Sequence, residues 1–154
     1  MKQKDYQSSF AVKVPSGEAF QGIANVAGWW TENIEGHTSN LNDEFTVRFG
    51  DTFVNFKVTE SKPGKRMIWL VTDCYLHWLK DKTEWTGTKV VWEISLGNQG
   101  TEITMTHVGL VPNIECFKSC KSGWDAYFKG SLFKLLTEKK GKPEKAISKH
   151  KLQK

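Results

Sequence analysis

Cysteine, proline and long apolar runs are scarce in this chain of 154 residues, which has three Cys and four Pro. No apolar stretch approaches the roughly 18 residues that a membrane-crossing helix needs, so membrane insertion is not expected. The first ten residues, MKQKDYQSSF, lack the continuous apolar core of a secretory signal, so a cytoplasmic location is the default expectation. Three Cys is an odd number and supports no disulfide framework. Cys116 and Cys120 stand four apart on an expected helix, a spacing that places Cβ atoms poorly for a bridge. Cys74, Cys116 and Cys120 are therefore expected to be three free thiols. Internal repeats and low-complexity blocks are absent before the C-terminus. So are GxSxG, HExxH, a phosphate-binding glycine loop and a dinucleotide fingerprint, so the common enzyme classes and cofactors that carry them are not expected.

Aromatic residues are abundant instead, with seven Trp and nine Phe. The charge is also uneven. Residues 139–154, KKGKPEKAISKHKLQK, hold seven Lys and one Glu, while the remaining residues carry 15 basic and 16 acidic side chains. The basic balance thus belongs to the end of the chain and calls for no specific nucleic acid partner. This reading divides the chain into one domain over 1–138, long enough for a core of its own, and a solvated, flexible basic tail over 139–154.

Periodicity sets out the elements. Phe10, Val12 and Val14 alternate in a first strand. Pro15 opens a helix carrying Ala19, Phe20 and Ile23, with Gly28 as its stop and room for a second helical turn near Trp29 and Trp30. Phe45, Val47 and Phe49 alternate in the strand Glu44–Phe49, and Val54, Phe56 and Val58 in Phe53–Glu60. Arg66–Tyr75 is apolar on both faces, which suits a central or doubly covered strand. A strand over Trp85–Leu96 turns inward Val90, Trp92, Ile94 and Leu96. A turn at Asn98–Gly100 leads to Thr101–Gly109, with Ile103, Met105 and His107 inward. Asn113 then caps a long helix whose inner stripe is Ile114, Phe117, Cys120, Trp124, Phe128, Ser131 and Leu135, stopped by Gly141 and Pro143. Short connections make the strands antiparallel. The expected class is α+β: a curved antiparallel sheet gripping a C-terminal helix, with one or two short helices after the first strand.

Certain words in this layout carry a resemblance. They are Val26-Ala27-Gly28-Trp29-Trp30, Asp43-Glu44-Phe45-Thr46, Glu84-Trp85 within TEWTGT, and His107-Val108-Gly109-Leu110-Val111-Pro112. CFKSCKSGWDAYFKGSL over Cys116–Leu132 and Gly141-Lys142-Pro143 complete the set. Over residues 8–143 the chain resembles the START-like (SRPBCC) superfamily of helix-grip proteins. The branch it resembles contains bacterial proteins related to the activator of the heat-shock-protein-ninety ATPase. That resemblance implies a deep apolar cavity between sheet and last helix. It also implies a lipid, polyketide or other hydrophobic ligand, a heat-shock ATPase as partner, or, in a few members, cyclase- or hydrolase-type catalysis.

The candidate site follows from the inward-facing residues. Trp69, Trp92, Met105, His107, Phe117, Cys120, Trp124 and Phe128 are the expected cavity wall. Trp29, Trp30, Trp78 and Trp85 sit near strand ends, where they could rim it. His107 could anchor a ligand oxygen or act as a general base, or be a hydrogen-bonded core histidine. A Cys120–His107 pair has no identifiable third orienting group. Cys116, Cys120 and His107 lack the second cysteine pair of a structural zinc site, so no metal is expected. Glu84 and Asp73 could orient a substrate or serve as surface or hydrogen-bonded carboxylates.

Overall fold

The structure is a computed structural model that describes residues 4–98 and 100–145. Strand alternation shows directly in burial. β1 (Tyr6–Val12) turns Tyr6, Ser8, Phe10 and Val12 inward, and β7 (Gly100–Val108) buries every second residue through His107. The chain then runs α1 (Ser16–Ala24), α2 (Val26–Trp29), β2 (Ile34–Gly36), β3 (Glu44–Phe49), β4 (Thr52–Lys62), β5 (Arg66–Tyr75) and β6 (Lys89–Gly97) before β7. All strand pairings are antiparallel, in the order β1-β7-β6-β5-β4-β3-β2. Two register shifts between β4 and β5, at Asn55/Phe56 and Val58/Glu60, bend the sheet's centre. A helical run over 117–138 lies against the inner face, as α3 (Phe117–Trp124), a π-helical segment (Asp125–Leu132) and α4 (Phe133–Glu138). This is the expected α+β arrangement of a curved sheet around a C-terminal helix. No helix of the described residues is long and apolar enough to cross a membrane.

Several local expectations change. α1 ends at Ala24 with Asn25 as its cap, so Gly28 lies inside α2 rather than stopping α1. β5 is central but one-faced: Met67, Trp69 and Val71 are buried, while Ile68 and Leu70 on the outer side are only half-covered. β6 starts at Lys89, and Trp85 precedes it in a turn that includes Gly87 at φ +90°. Leu96 has inward parity but is 81% exposed, because the hairpin runs past the end of the helix that would cover it. Asn113 and Ile114 precede the last helix, whose cap is Cys116.

The inner stripe of the last helix also differs from expectation. Its buried apolar members are Cys120, Trp124, Phe128, Leu132 and Leu136, four residues apart throughout, and Leu135 is only half-buried. An α-helix of 3.6 residues per turn would rotate such a stripe off the core. The wider turns of the π-helical segment keep it on one line. Lys139, at φ +65°, ends the helix in the left-handed conformation, and its ammonium pairs with Glu18 at 2.6 Å.

Gly141 is therefore not the stop. It lies where an added Cβ would stand 2.5 Å from the Gly28 carbonyl oxygen and 2.9 Å from that of Ser131, so only glycine fits. Beyond it the Glu144 N–H donates to the Trp30 carbonyl (2.9 Å) and its carbonyl accepts from Glu32 N–H (2.8 Å). The segment 139–145 is thus docked on α2, seven residues past the expected domain edge. The rest of the expected basic tail, 146–154, lies outside the described residues.

The stripe generates a prediction. Leu136→Ala should cost about 2–5 kcal/mol of stability, and Leu135→Ala less than half as much. Urea unfolding measures both, and equal losses would contradict this helix register.

Candidate ligand cleft

The space between sheet and helix is largely filled by aromatic side chains. Trp29, Trp69, Trp92, Phe45, Phe56 and Phe128 are fully buried. Trp92 stands edge-on to Trp29 (5.6 Å between ring centroids) and Trp69 (5.1 Å), and Phe128 lies 5.8 Å away. Such tilted and edge-to-face contacts are the favoured packings of aromatic quadrupoles. Among the described residues, these rings pack the interior under the middle of the helix.

A cleft of about 340 Å³ opens where the helix begins. Its floor is Trp30, Trp85 and Trp124, with Trp85 and Trp124 parallel at 6.2 Å and Trp30 4.9 Å from Trp124. Phe49, Val54 and Leu76 form the sheet side, and Ser119, Cys120, Gly123 and Tyr127 the helix side. Trp78, half-exposed, spans the mouth and donates its indole N–H to Ser119 Oγ at 3.3 Å. An added Cβ on Gly123 would meet no atom within 4 Å. Glycine inside a helix costs about 1 kcal/mol against alanine, and its effect here is to leave the cleft wide.

Of the eight residues expected to line a cavity, Cys120 and Trp124 line this cleft. Trp69, Trp92, Met105, His107 and Phe128 are fully buried in the packed core, and Phe117 is half-buried against it. Of the four tryptophans expected near a rim, half-exposed Trp78 stands at the mouth, Trp30 and Trp85 lie in the floor, and Trp29 is wholly buried. Sequence reasoning missed Ser119, Gly123 and Tyr127, a second four-residue ladder one position before Cys120, Trp124 and Phe128. Leu76 and His77 carried no signal, because they follow β5 in an irregular loop.

His107 sits beneath the cleft floor, fully buried, with both ring nitrogens engaged. The Trp124 indole N–H donates to Nδ1 at 3.0 Å, and Thr88 Oγ1 lies 2.9 Å from Nε2. An indole can only donate, so Nδ1 must be the bare nitrogen and Nε2 carries the proton. Nε2–H then donates to Thr88 Oγ1, whose own hydrogen goes to the Trp85 carbonyl at 2.6 Å. The Trp85 ring packs edge-on against the imidazole at 4.5 Å. Burial lowers the imidazole from its ordinary 6.5 to about 3. No lone pair faces the cleft, so this imidazole is set up as a structural junction, not a general base.

The expected carboxylates have other tasks. Glu84 accepts the backbone N–H groups of Glu115 and Cys116, both at 3.0 Å. Glu115 in return accepts those of Lys80 (2.9 Å) and Asp81 (3.2 Å), and the Lys80 and Asp81 amides hold its carboxyl below the usual range. The two glutamates clasp the loop 76–88 to the start of the helix. Asp73 is exposed and accepts its neighbour's N–H from Cys74. Tyr6 donates to Asp125 at 2.5 Å and ties β1 to the helix. Burial and then the Asp125 contact raise the Tyr6 hydroxyl above its usual range.

The cysteines correct an expectation. Cys116 and Cys120 are joined as a disulfide, and only Cys74 is a free buried thiol. Their Cα atoms stand 5.6 Å apart, within bridging range, so the four-residue spacing does not exclude the bond. Among the described residues, no three His, Cys, Asp or Glu side chains cluster to hold a metal ion.

No family model matches the chain, and no curated protein matches it. Solved structures do share its shape. The Aha1 dimer from Colwellia psychrerythraea, determined in solution, gives a TM-score of 0.72 at 21% identity, covering 89% of this chain and 98% of that one. DynU16, a protein of the dynemicin biosynthetic locus, gives 0.66 at 18% identity over 91% of this chain and 49% of its own length. The Mesorhizobium loti protein MLL2253 gives 0.65 at 14% identity, covering 82% and 92%. The chain therefore has the helix-grip fold, a curved antiparallel sheet around a C-terminal helix.

The buried imidazole yields a pH prediction. Unfolded, His107 takes up a proton below about 6.5; folded, it stays neutral down to about 3. Stability is therefore lost as pH falls through that window, by about 1.4 kcal/mol per pH unit from this group. Between pH 7 and pH 5 the wild type should lose about 2 kcal/mol more than His107→Gln in urea unfolding. Equal losses would show that the imidazole titrates freely.

Proposed function

We propose that the chain binds a hydrophobic or amphipathic small molecule in the cleft beside Gly123. The observation that carries this reading is an apolar hollow walled by four indoles and held open by a glycine inside a helix. Its volume of about 340 Å³ is near the lower end of ordinary ligand sites, which start at about 300 Å³. Larger depressions exist. One of about 1330 Å³ near Leu96, Phe133 and Lys139 is more open to solvent and more polar, as are those of about 530 Å³ beside Asn25 and Asp43 and about 410 Å³ beside Phe20 and Asn40.

Affinity would come from burial of apolar ligand area, at roughly 25 cal/mol per Å². Orientation would come from the few polar groups in its lining, Thr52, His77 and Ser119. The commitment of both His107 nitrogens favours binding over catalysis by that residue. A polyketide- or lipid-like ligand is consistent with the walls and with the dynemicin-locus neighbour in the same fold.

Gly123→Leu is the direct test. Its side chain enters the open cleft and strengthens the helix, so the fold should keep its melting temperature while the site closes. Titration with anilinonaphthalene sulfonate should show affinity at least tenfold weaker than wild type. Unchanged affinity in the folded variant would overturn the cleft as the binding site.

A further inference from the structure

We propose that Cys116 and Cys120 form a reversible disulfide in the wall of the cleft, which exchanges with small-molecule thiols through Cys120. The two sulfurs differ in access. Cys116 is fully buried beneath Trp85, whose indole N–H donates to its sulfur at 3.2 Å. Cys120 lines the cleft, next to the open space left by Gly123. Thiol–disulfide exchange requires an attacking thiolate to reach one sulfur along the S–S axis from outside. Cys120, 7% exposed and lining the cleft, offers that approach, whereas Cys116 has no exposed surface.

The surroundings also suit Cys116 as the leaving group. It caps the first turn of α3, where the helix dipole favours negative charge. The Trp85 N–H is already directed at its sulfur. The nearby Glu84 carboxylate opposes such a charge, but its oxygens are taken up by the N–H groups of Glu115 and Cys116. Cys74 takes no part. It is buried elsewhere, against the Lys82 carbonyl at 3.7 Å and Thr86 Oγ1 at 3.5 Å.

The chemistry balances with a low-molecular-weight thiol, RSH, as reductant. Its thiolate attacks Cys120 Sγ, an RS–Cys120 bond forms, the Cys116–Cys120 bond breaks, and the electron pair leaves on Cys116. A second thiolate attacks the R-bearing sulfur, releasing RSSR and the Cys120 thiolate. Two RSH are oxidised to RSSR, the disulfide is reduced, and the two thiol protons end on Cys116 and Cys120. The reverse sequence, starting from RSSR and the free Cys120 thiolate, closes the bond again.

Glutathione buffers of graded composition, followed by alkylation and peptide mass mapping of the full-length wild-type chain, test this without any substitution. Cys116 and Cys120 should be protected together in oxidised glutathione and alkylated together in reduced glutathione, with Cys74 constant. In Cys116→Ser the glutathione adduct should form on Cys120 at least tenfold faster than on Cys116 in Cys120→Ser. Reduction should also brighten tryptophan emission by removing the disulfide beside Trp85, and Trp85→Phe should abolish that change. Alkylation of both cysteines even after oxidised glutathione would overturn the proposal, as would adducts at Cys116 rather than Cys120.

Discussion

The neutral imidazole of His107 is the point at which sheet, helix and loop are joined. Its Nδ1 takes the N–H of Trp124 from the helix, and its Nε2–H reaches Thr88 at the start of the β6 hairpin. Thr88 in turn holds the carbonyl of Trp85. A buried polar group left without partners costs about 1–3 kcal/mol, so the three elements are held in one arrangement rather than merely pressed together. Gly109 shows how tight the junction is. At φ +104° it turns the chain after β7, and a Cβ there would stand 2.7 Å from the Thr88 methyl. Its N–H is taken by Asp5 at 2.9 Å.

The placement of the cleft follows from this junction. Trp124 and Trp85 are fixed parallel over the imidazole, so they form a floor rather than collapsing into the space above them. Below that floor Trp92, Trp69 and Phe128 fill the interior. Above it, the Glu84 and Glu115 clasp holds the loop 76–88 at a set distance from the helix, with Trp78 across the gap. A fold whose sheet and helix could enclose one large chamber has instead divided that volume into a packed aromatic core and a shallow apolar cleft at one end.

Much of this was legible in the residues. Alternation named the inward faces of β3, β4 and β7 because each has one wet side, and parity alone then decides burial. It failed for Leu96, where parity was right but the helix ends too early to cover it. For the helix stripe, α-helical spacing selects Leu135. The π-helical turns favour the four-residue ladder through Leu132 to Leu136, and that ladder is visible in the sequence once turn width is left open. Glu84 and Glu115 could not be paired in advance, since each accepts backbone N–H groups more than thirty residues away. The same holds for the cavity wall. Inward parity predicts burial, and in an aromatic-rich chain the deeply buried positions pack against one another. Cleft positions such as Ser119, Gly123 and Tyr127 instead lie at the edge of the stripe, where small and amphipathic residues leave room.

The division between filled core and open cleft is the central claim, and the seven indoles report on it directly. In a proton–nitrogen NMR titration with anilinonaphthalene sulfonate, the assigned indole N–H signals of Trp30, Trp78, Trp85 and Trp124 should shift together. Those of Trp29, Trp69 and Trp92 should hold their positions. Shifts of Trp69 and Trp92 as large as those of Trp85 would mean that the ligand enters the interior and that the aromatic core is not closed.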